Sequence, residues 1–173
     1  MSDERYEYQR INAVKIIVEN GGKVLLIREP LTNEWMPGHW GLPGGKPFVK
    51  ESILEAYKRK VEGDLGVNLD LLGVFRVVEL LIENRTVFMF IFVAKYQGGD
   101  LKGEVSEFKW VTADEISSMD VAEFTEYYNK ELLLDYLGSE RNLVPVDFIK
   151  SYDYYQMGDE PEYKRWKESG TKK

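Results

Sequence analysis

The chain of 173 residues has no cysteine and a single histidine, His39. The first absence excludes disulfides, thiolate zinc sites, iron–sulfur clusters and cysteine nucleophiles. The second excludes any mononuclear metal site that needs two or three imidazoles. Positive charge is in deficit, with 23 Lys+Arg against 30 Asp+Glu and a formal net charge of −7. Nucleic acid and anionic membranes both require a basic footprint, and this balance argues against both as partners. Long apolar runs are also missing. The longest, Val87 to Ala94, is the size of a strand and well short of the roughly 18 residues of a membrane span. Met1 to Glu7 is charged and offers no apolar signal core. The expectation is a soluble, cytoplasmic domain with a short appendage, acting on a small molecule.

Turn-forming residues are concentrated rather than scattered. Ala13 to Val18 and Val24 to Ile27 are rich in β-branched residues and flank Asn20-Gly21-Gly22, a strong hairpin signal. Pro30 to Gly45 holds three Pro, four Gly and two Trp, a composition that demands a shaped loop. Ser52 to Leu65 reads as a helix, because Ile53, Tyr57, Val61 and Leu65 recur every four residues and Gly66 stands where a helix would end. Leu71 to Ile82 and Val87 to Tyr96 read as strands around Glu83-Asn84-Arg85. A Gly-rich turn over Gln97 to Gly103 leads to a short strand at Phe108 to Val111. Thr112 and Glu115 have the spacing of a capping box for a short helix, and Ala122 to Leu137 reads as a longer one. Pro145 to Tyr155 is aromatic, with Tyr152, Tyr154 and Tyr155 suited to covering an apolar face. Residues 158–173 are polar. Strands on both sides of a helix, followed by more strands and a helix, imply a layered α/β domain.

The run Trp40-Gly41-Leu42-Pro43-Gly44-Gly45 and its continuation carry a recognisable pattern. Gly45, Glu51, Arg59, Val61, Gly66 and Val67 stand in the register G-x5-E-x7-R-E-U-x-E-E-x-G-U, with U aliphatic, and so resemble the box of the Nudix hydrolase family. The hairpin ending Leu25-Leu26-Ile27-Arg28-Glu29 is also similar to that family. So is the acidic stretch Gly103-Glu104-Val105-Ser106-Glu107 before a last strand. The resemblance covers roughly residues 11–120. It implies an α/β/α sandwich with a mixed central sheet, the box helix on one side and the Ala122 to Leu137 helix on the other. Residues 1–140 would form that domain, and 141–173 a C-terminal extension packed on it or mobile.

The chain departs from the family at the three box glutamates, where it has Lys60, Gly63 and Asp64. In active relatives those carboxylates hold Mg²⁺ or Mn²⁺ against a diphosphate, a task for hard oxygen ligands. One branch, the GDP-mannose mannosyl hydrolases, is similar in keeping only the last carboxylate. Carried over, its single-metal arrangement implies Asp64, Glu104 and the Gly45 carbonyl as ligands of Mg²⁺ or Mn²⁺. That branch has a histidine base directly after the acidic-loop ligand, where this chain has Val105; Glu107 is then the candidate base. Lys60 has two readings: an ammonium that pairs with a substrate diphosphate, or a salt bridge to Asp64 one turn on.

The other candidates also carry alternatives. Arg59 joins the catalytic set by its place in the box, but with Glu51 it resembles a structural pair that fixes the loop to the helix. Trp35 could stack on a base, Arg28 could touch the nucleotide, and His39 reads as a loop residue. Two functions follow. One is a Mg²⁺-dependent hydrolase of a nucleoside diphosphate linked to another moiety, weak or atypical. The other is an inactive binder of a nucleotide or related anion, serving as a sensor or interaction module. A homodimer is the expected assembly.

Overall fold

The fold turns on two strands that begin as a hairpin and then separate. The structure is a computed structural model and describes residues 9–138, 140–152 and 160–170. In it, β1 (Gln9–Asn20) and β2 (Lys23–Arg28) are joined through Gly21 and Gly22. Both glycines have positive φ, +56° and +79°, a region glycine enters without steric cost. The two strands pair with each other only at the hairpin end, Glu19 with Val24 and Asn20 with Lys23. Beyond that, β1 runs parallel to β6 (Arg85–Gly98) from Gln9 to Glu19. Strand β2 instead takes β3 (Trp40–Gly41) and β7 (Glu107–Val111) as antiparallel neighbours. On the far side, β5 (Asn68–Ile82) lies antiparallel to β6. The sheet is therefore mixed.

A two-residue strand, β4 (Gly44–Gly45), enters the gap that opens between β1 and β2 and pairs with Val14 and Lys15 of β1. Next to it the Ile16 N–H donates to the Pro43 carbonyl at 2.9 Å. The approach is so close that a Cβ on Gly44 would lie 2.1 Å from the Val14 carbonyl oxygen. This close approach accounts for the glycine at position 44.

Alternation along β1 sorts the core into two layers. Val14, Ile16 and Val18 face α1 (Ile53–Arg59) and pack with its Ala56 and Tyr57. Ala13 and Ile17 face the other way, toward Ile116 of α2 (Ala113–Ser118) and toward Leu132, Leu133 and Tyr136 of α3 (Asn129–Gly138). Helices thus cover both faces of a mixed sheet, the expected α/β/α sandwich.

Three elements differ from the sequence expectation. The helix that starts at the Ser52–Glu55 capping box is α-helical only to Arg59. Lys60–Leu65 forms one π-helical turn, closed where Gly66 at φ +66° donates from its N–H to the Val61 carbonyl at 3.2 Å. Gly63 in this turn has the backbone freedom that loosens an α-helix, and the Lys102 N–H captures the Leu65 carbonyl at 2.9 Å. The span from Ala122 to Leu137 is not one helix. A 3-10 turn at Val121–Glu123, capped by Asp120, gives way to extended backbone at Phe124. There Phe124 bridges to Trp40, and the Thr125 N–H donates to the Trp40 carbonyl at 2.7 Å. Burying Phe124 against β3 overrides the local helix propensity. In the polar C-terminal stretch, Pro161–Gly170 forms α4. Upstream of it, Val144 and Val74 exchange two 2.8 Å backbone hydrogen bonds, and Val146 and Ile149 pack on the α1-side core. Tyr152 is exposed; Tyr154 and Tyr155 lie outside the described residues, as do the first eight of the polar lead-in.

The loop between β4 and α1 is clamped by Arg59. Its Nε and one Nη each donate to a Glu51 oxygen at 2.7 Å, and that Nη also reaches the Lys46 carbonyl at 3.0 Å. The guanidinium covers the Phe48 ring at 3.9 Å. Hydrogen bonding from Arg59, foremost, holds the Glu51 carboxyl down to about 2. The depressed value means that the pair stabilises the fold fully above the ordinary carboxylate range and loses that contribution as pH falls from about 4.5 toward 2. Glu51→Gln is expected to lower the melting temperature at pH 7 and to flatten its decline over that acid window, as followed by circular dichroism. For Gly44→Ala, the clash with backbone predicts a loss of roughly 1–3 kcal/mol, read from the urea midpoint.

Candidate functional site

Where β1 and β2 part, a cleft of about 860 Å³ opens. Its floor is the odd-numbered side of β1, with Ile11, Ala13 and Lys15. The π turn supplies Lys60, Gly63 and Asp64 to one wall, and the acidic loop adds Gly103 and Glu104. Trp35 and Glu126 line it as well. The acidic loop is pressed onto the end of the box helix: a Cβ on Gly103 would lie 2.5 Å from the Asp64 carbonyl oxygen.

The ion pair between Lys60 and Asp64 is formed, with Nζ 2.5 Å from Oδ2. The lysine also lies flat against the glycine turn. A Cβ on Gly45 would fall 2.4 Å from Lys60 Cε and 2.9 Å from its Nζ. The corner that Gly45, Asp64 and Glu104 would have to share around a metal ion therefore already holds an ammonium group. Among the described residues, no group of three or more His, Asp or Glu side chains is placed to hold a metal ion. A metal ion held by Asp64, Glu104 and the Gly45 carbonyl would have to displace Lys60 from Asp64.

The inner end of the cleft holds charged groups that sequence reasoning passed over. Lys15 is half-buried, and its Nζ has only a long 3.5 Å contact to the Leu42 carbonyl. Loss of hydration pulls its ammonium below the ordinary lysine value, and Lys60 adds to that, while Glu126 and Glu29 oppose it. Glu126 is pushed the other way, upward, chiefly by burial, although Lys15 and a hydrogen bond from Trp35 favour its charged form. A signal for Lys15 was present: it interrupts the apolar stripe Ile11, Ala13, Ile17. No comparable signal marked Glu126, which sat inside a stretch read as helix.

Of the residues singled out from sequence, Gly45, Lys60, Asp64, Glu104 and Trp35 line one cleft. Glu107, Arg28 and Arg59 are not among its lining residues. Glu107 faces Arg28 at 3.5 Å, and Arg28 Nε donates to the Gly38 carbonyl at 2.9 Å, so this pair ties the Pro30–Gly38 loop to β7. Arg59 is engaged by Glu51, as described above. His39 Nδ1 lies 2.9 Å from the Pro37 carbonyl. Trp40 is buried in the α3-side core.

Similarity to known proteins agrees with this architecture. The sequence family described as NUDIX domain matches residues 9–152. Nudix hydrolase 1 of Caenorhabditis elegans is 33% identical over 95 residues, which span 53% of this chain but only 25% of that protein. Nucleoside triphosphatase NudI of Enterobacter sp. (strain 638) is 26% identical over 122 residues, 63% of this chain and 86% of that one. Among solved structures, the MutT protein from Methanosarcina mazei Go1 superimposes with a TM-score of 0.64 at 26% identity, over 73% of this chain and 91% of its own. A NUDIX hydrolase from Nitrosomonas europaea gives 0.69 at 20% identity over 83% and 98%, a likeness of fold. With the family match spanning most of its length, and with the sandwich and box loop in place, this chain belongs to the Nudix family.

Proposed function

We propose that the cleft binds a nucleoside diphosphate linked to a second group, and that the Lys60 ammonium takes the position a divalent cation holds in relatives with all three box glutamates. The carrying observation is the placement of Lys60, paired with Asp64 at 2.5 Å and seated against Gly45. An ammonium offsets phosphate charge as a point cation, but it does not polarise a water molecule as a Lewis acid does. Binding with little or no turnover follows. Glu51, Arg59, Arg28 and Glu107 then serve to hold the loops around the cleft.

The competing function is metal-dependent hydrolysis through Asp64, Glu104 and the Gly45 carbonyl. What favours it is that all three line the same cleft, so that a metal able to displace Lys60 would find oxygen donors nearby. The Enterobacter relative is named a nucleoside triphosphatase, which makes triphosphates the ligand class to set against diphosphate derivatives.

Calorimetric titration with UDP-glucose and ADP-ribose in EDTA, beside an assay in Mg²⁺ or Mn²⁺ that follows the phosphomonoester products through a coupled phosphatase, separates the two. The expected outcome is binding without metal, weakened roughly tenfold or more in Lys60→Gln, a loss on the scale of a charged hydrogen bond. Millimolar Mg²⁺ is expected to leave the melting temperature unchanged, since an ion that does not bind the folded state cannot stabilise it. Mg²⁺-dependent turnover that disappears in Asp64→Asn would overturn the binding function.

A further inference from the structure

Toward their hairpin end, β5 and β6 leave one face of the sheet open. The register sets Val77 opposite Phe90, Glu79 opposite Phe88 and Leu81 opposite Thr86, and directly opposed residues share a face. This is the α1 face, because Phe90 packs with the α1-side core whereas Val78 and Leu80 pack with the α3-side core. Val77 is 53% exposed and Leu81 76%. At one end of the strip lies an apolar groove of about 300 Å³, lined by Val74, Val77, Phe90, Val144 and Ile149 with Phe75 and Arg76. Exposed apolar ground of this kind, with the exposed Glu79 between Val77 and Leu81, has the character of a contact surface.

Helix α4 is complementary to that strip. A helix of 10 residues draws little stability from propensity and depends on packing. Its Tyr163 and Trp166 rings lie 5.7 Å apart, on one side of the helix as their spacing requires, and Trp166 is 61% exposed. Lys167 stands one turn beyond Tyr163. From Pro161 to Lys173 the chain carries five basic and two acidic residues, against a net charge of −7 for the whole. Among the described residues, neither Glu79 nor Lys167 has an ion-pair partner. Leu81 and Trp166 are exposed together in the single chain, so α4 does not cover the strip of its own copy.

We propose that α4 of one copy lies on the β5–β6 strip of a second copy, and reciprocally, so that two chains form a homodimer by exchanging C-terminal arms. Trp166 enters the groove beside Val77 and Phe90, Lys167 meets Glu79, and the helix runs along the strip toward Leu81. The arm leaves from the groove's own border at Ile149, and the link from Tyr152 to Pro161 spans up to roughly 30 Å, enough to cross an interface. Tyr163 and Trp166 together bury roughly 300–500 Å². Two such arms, with the surface they cover, reach the roughly 1,200–2,000 Å² of a stable interface. On its other face the same strand presents Leu80 and Ile82 to the cleft, so each arm braces a wall of its partner's cleft, whatever that cleft binds.

The test is sedimentation equilibrium of the full chain as wild type, Trp166→Ala, Val77→Lys, and Glu79→Lys and Lys167→Glu singly and combined. All four positions are exposed, and melting temperatures verify that each variant is folded. The wild type is expected to be mainly dimeric at about 50 µM, with dissociation roughly tenfold or more easier in Trp166→Ala and in Val77→Lys. An equimolar mixture of those two variants is expected to sediment as a heavier species than either alone, because one keeps its strip and the other its arm. Combining the two charge reversals is expected to recover most of the affinity that either loses. A wild type that stays monomeric at that concentration overturns the proposal, whether its arm then folds back on its own strip or binds anionic vesicles. A dimer that neither Trp166→Ala nor Val77→Lys weakens overturns it too, and a mixture no heavier than its components overturns the exchange.

Discussion

The contact of Gly44 with the Val14 carbonyl organises this molecule. A sheet whose first hairpin splays needs something to satisfy the exposed edge of β1, and Gly44 and Gly45 do so, Gly44 at a separation that no Cβ permits. That insertion keeps β1 and β2 apart, and the separation is the cleft. It also fixes the start of the loop that Arg59 clamps to the box helix, so helix, loop and sheet converge on one turn. The same turn then receives Lys60 across its surface. Structural demand thus falls on the same few glycines that line the cleft.

Charge in the cleft follows a consistent logic. Lys60 brings a cation to the glycine turn and engages the Asp64 carboxylate at the same time. The π turn helps, since widening the last turn presents Lys60 and Asp64 together while Gly66 and Lys102 close the helix behind them. Across the cleft, Lys15 and Glu126 are each desolvated and each shifted toward neutrality.

Much of this was legible in the sequence, and the gaps have physical causes. The Asn-Gly-Gly hairpin and the Ser52–Glu55 cap could be read because each rests on local chemistry within four residues. The Lys60–Asp64 pair could be read as well, since its spacing survives a change of helix type. Glu126 could not. Its position is dictated by Phe124 reaching Trp40, a contact some eighty positions away in the chain that local propensity does not sense. Lys15 was visible as an interruption in an apolar stripe, but its meaning depended on where β4 enters, which no strand pattern gives. The π turn escaped because Gly63 and the carbonyl capture by Lys102 act at the level of tertiary contact.

The long parallel pairing of β1 with β6 carries a consequence for how the chain reaches this state. Gln9 meets Arg85 and Glu19 meets Lys95, so every rung of that ladder joins residues far apart in sequence. Strands β5 and β6, joined by a tight turn, assemble locally, but β1 must wait until a large loop has closed before its hydrogen bonds on that side exist. Until that loop closes, the edge of β1 on that side has no partner strand. The same holds for β2, whose partner β7 lies still further along the chain, Val24 meeting Val111, so both walls of the cleft depend on closing long loops.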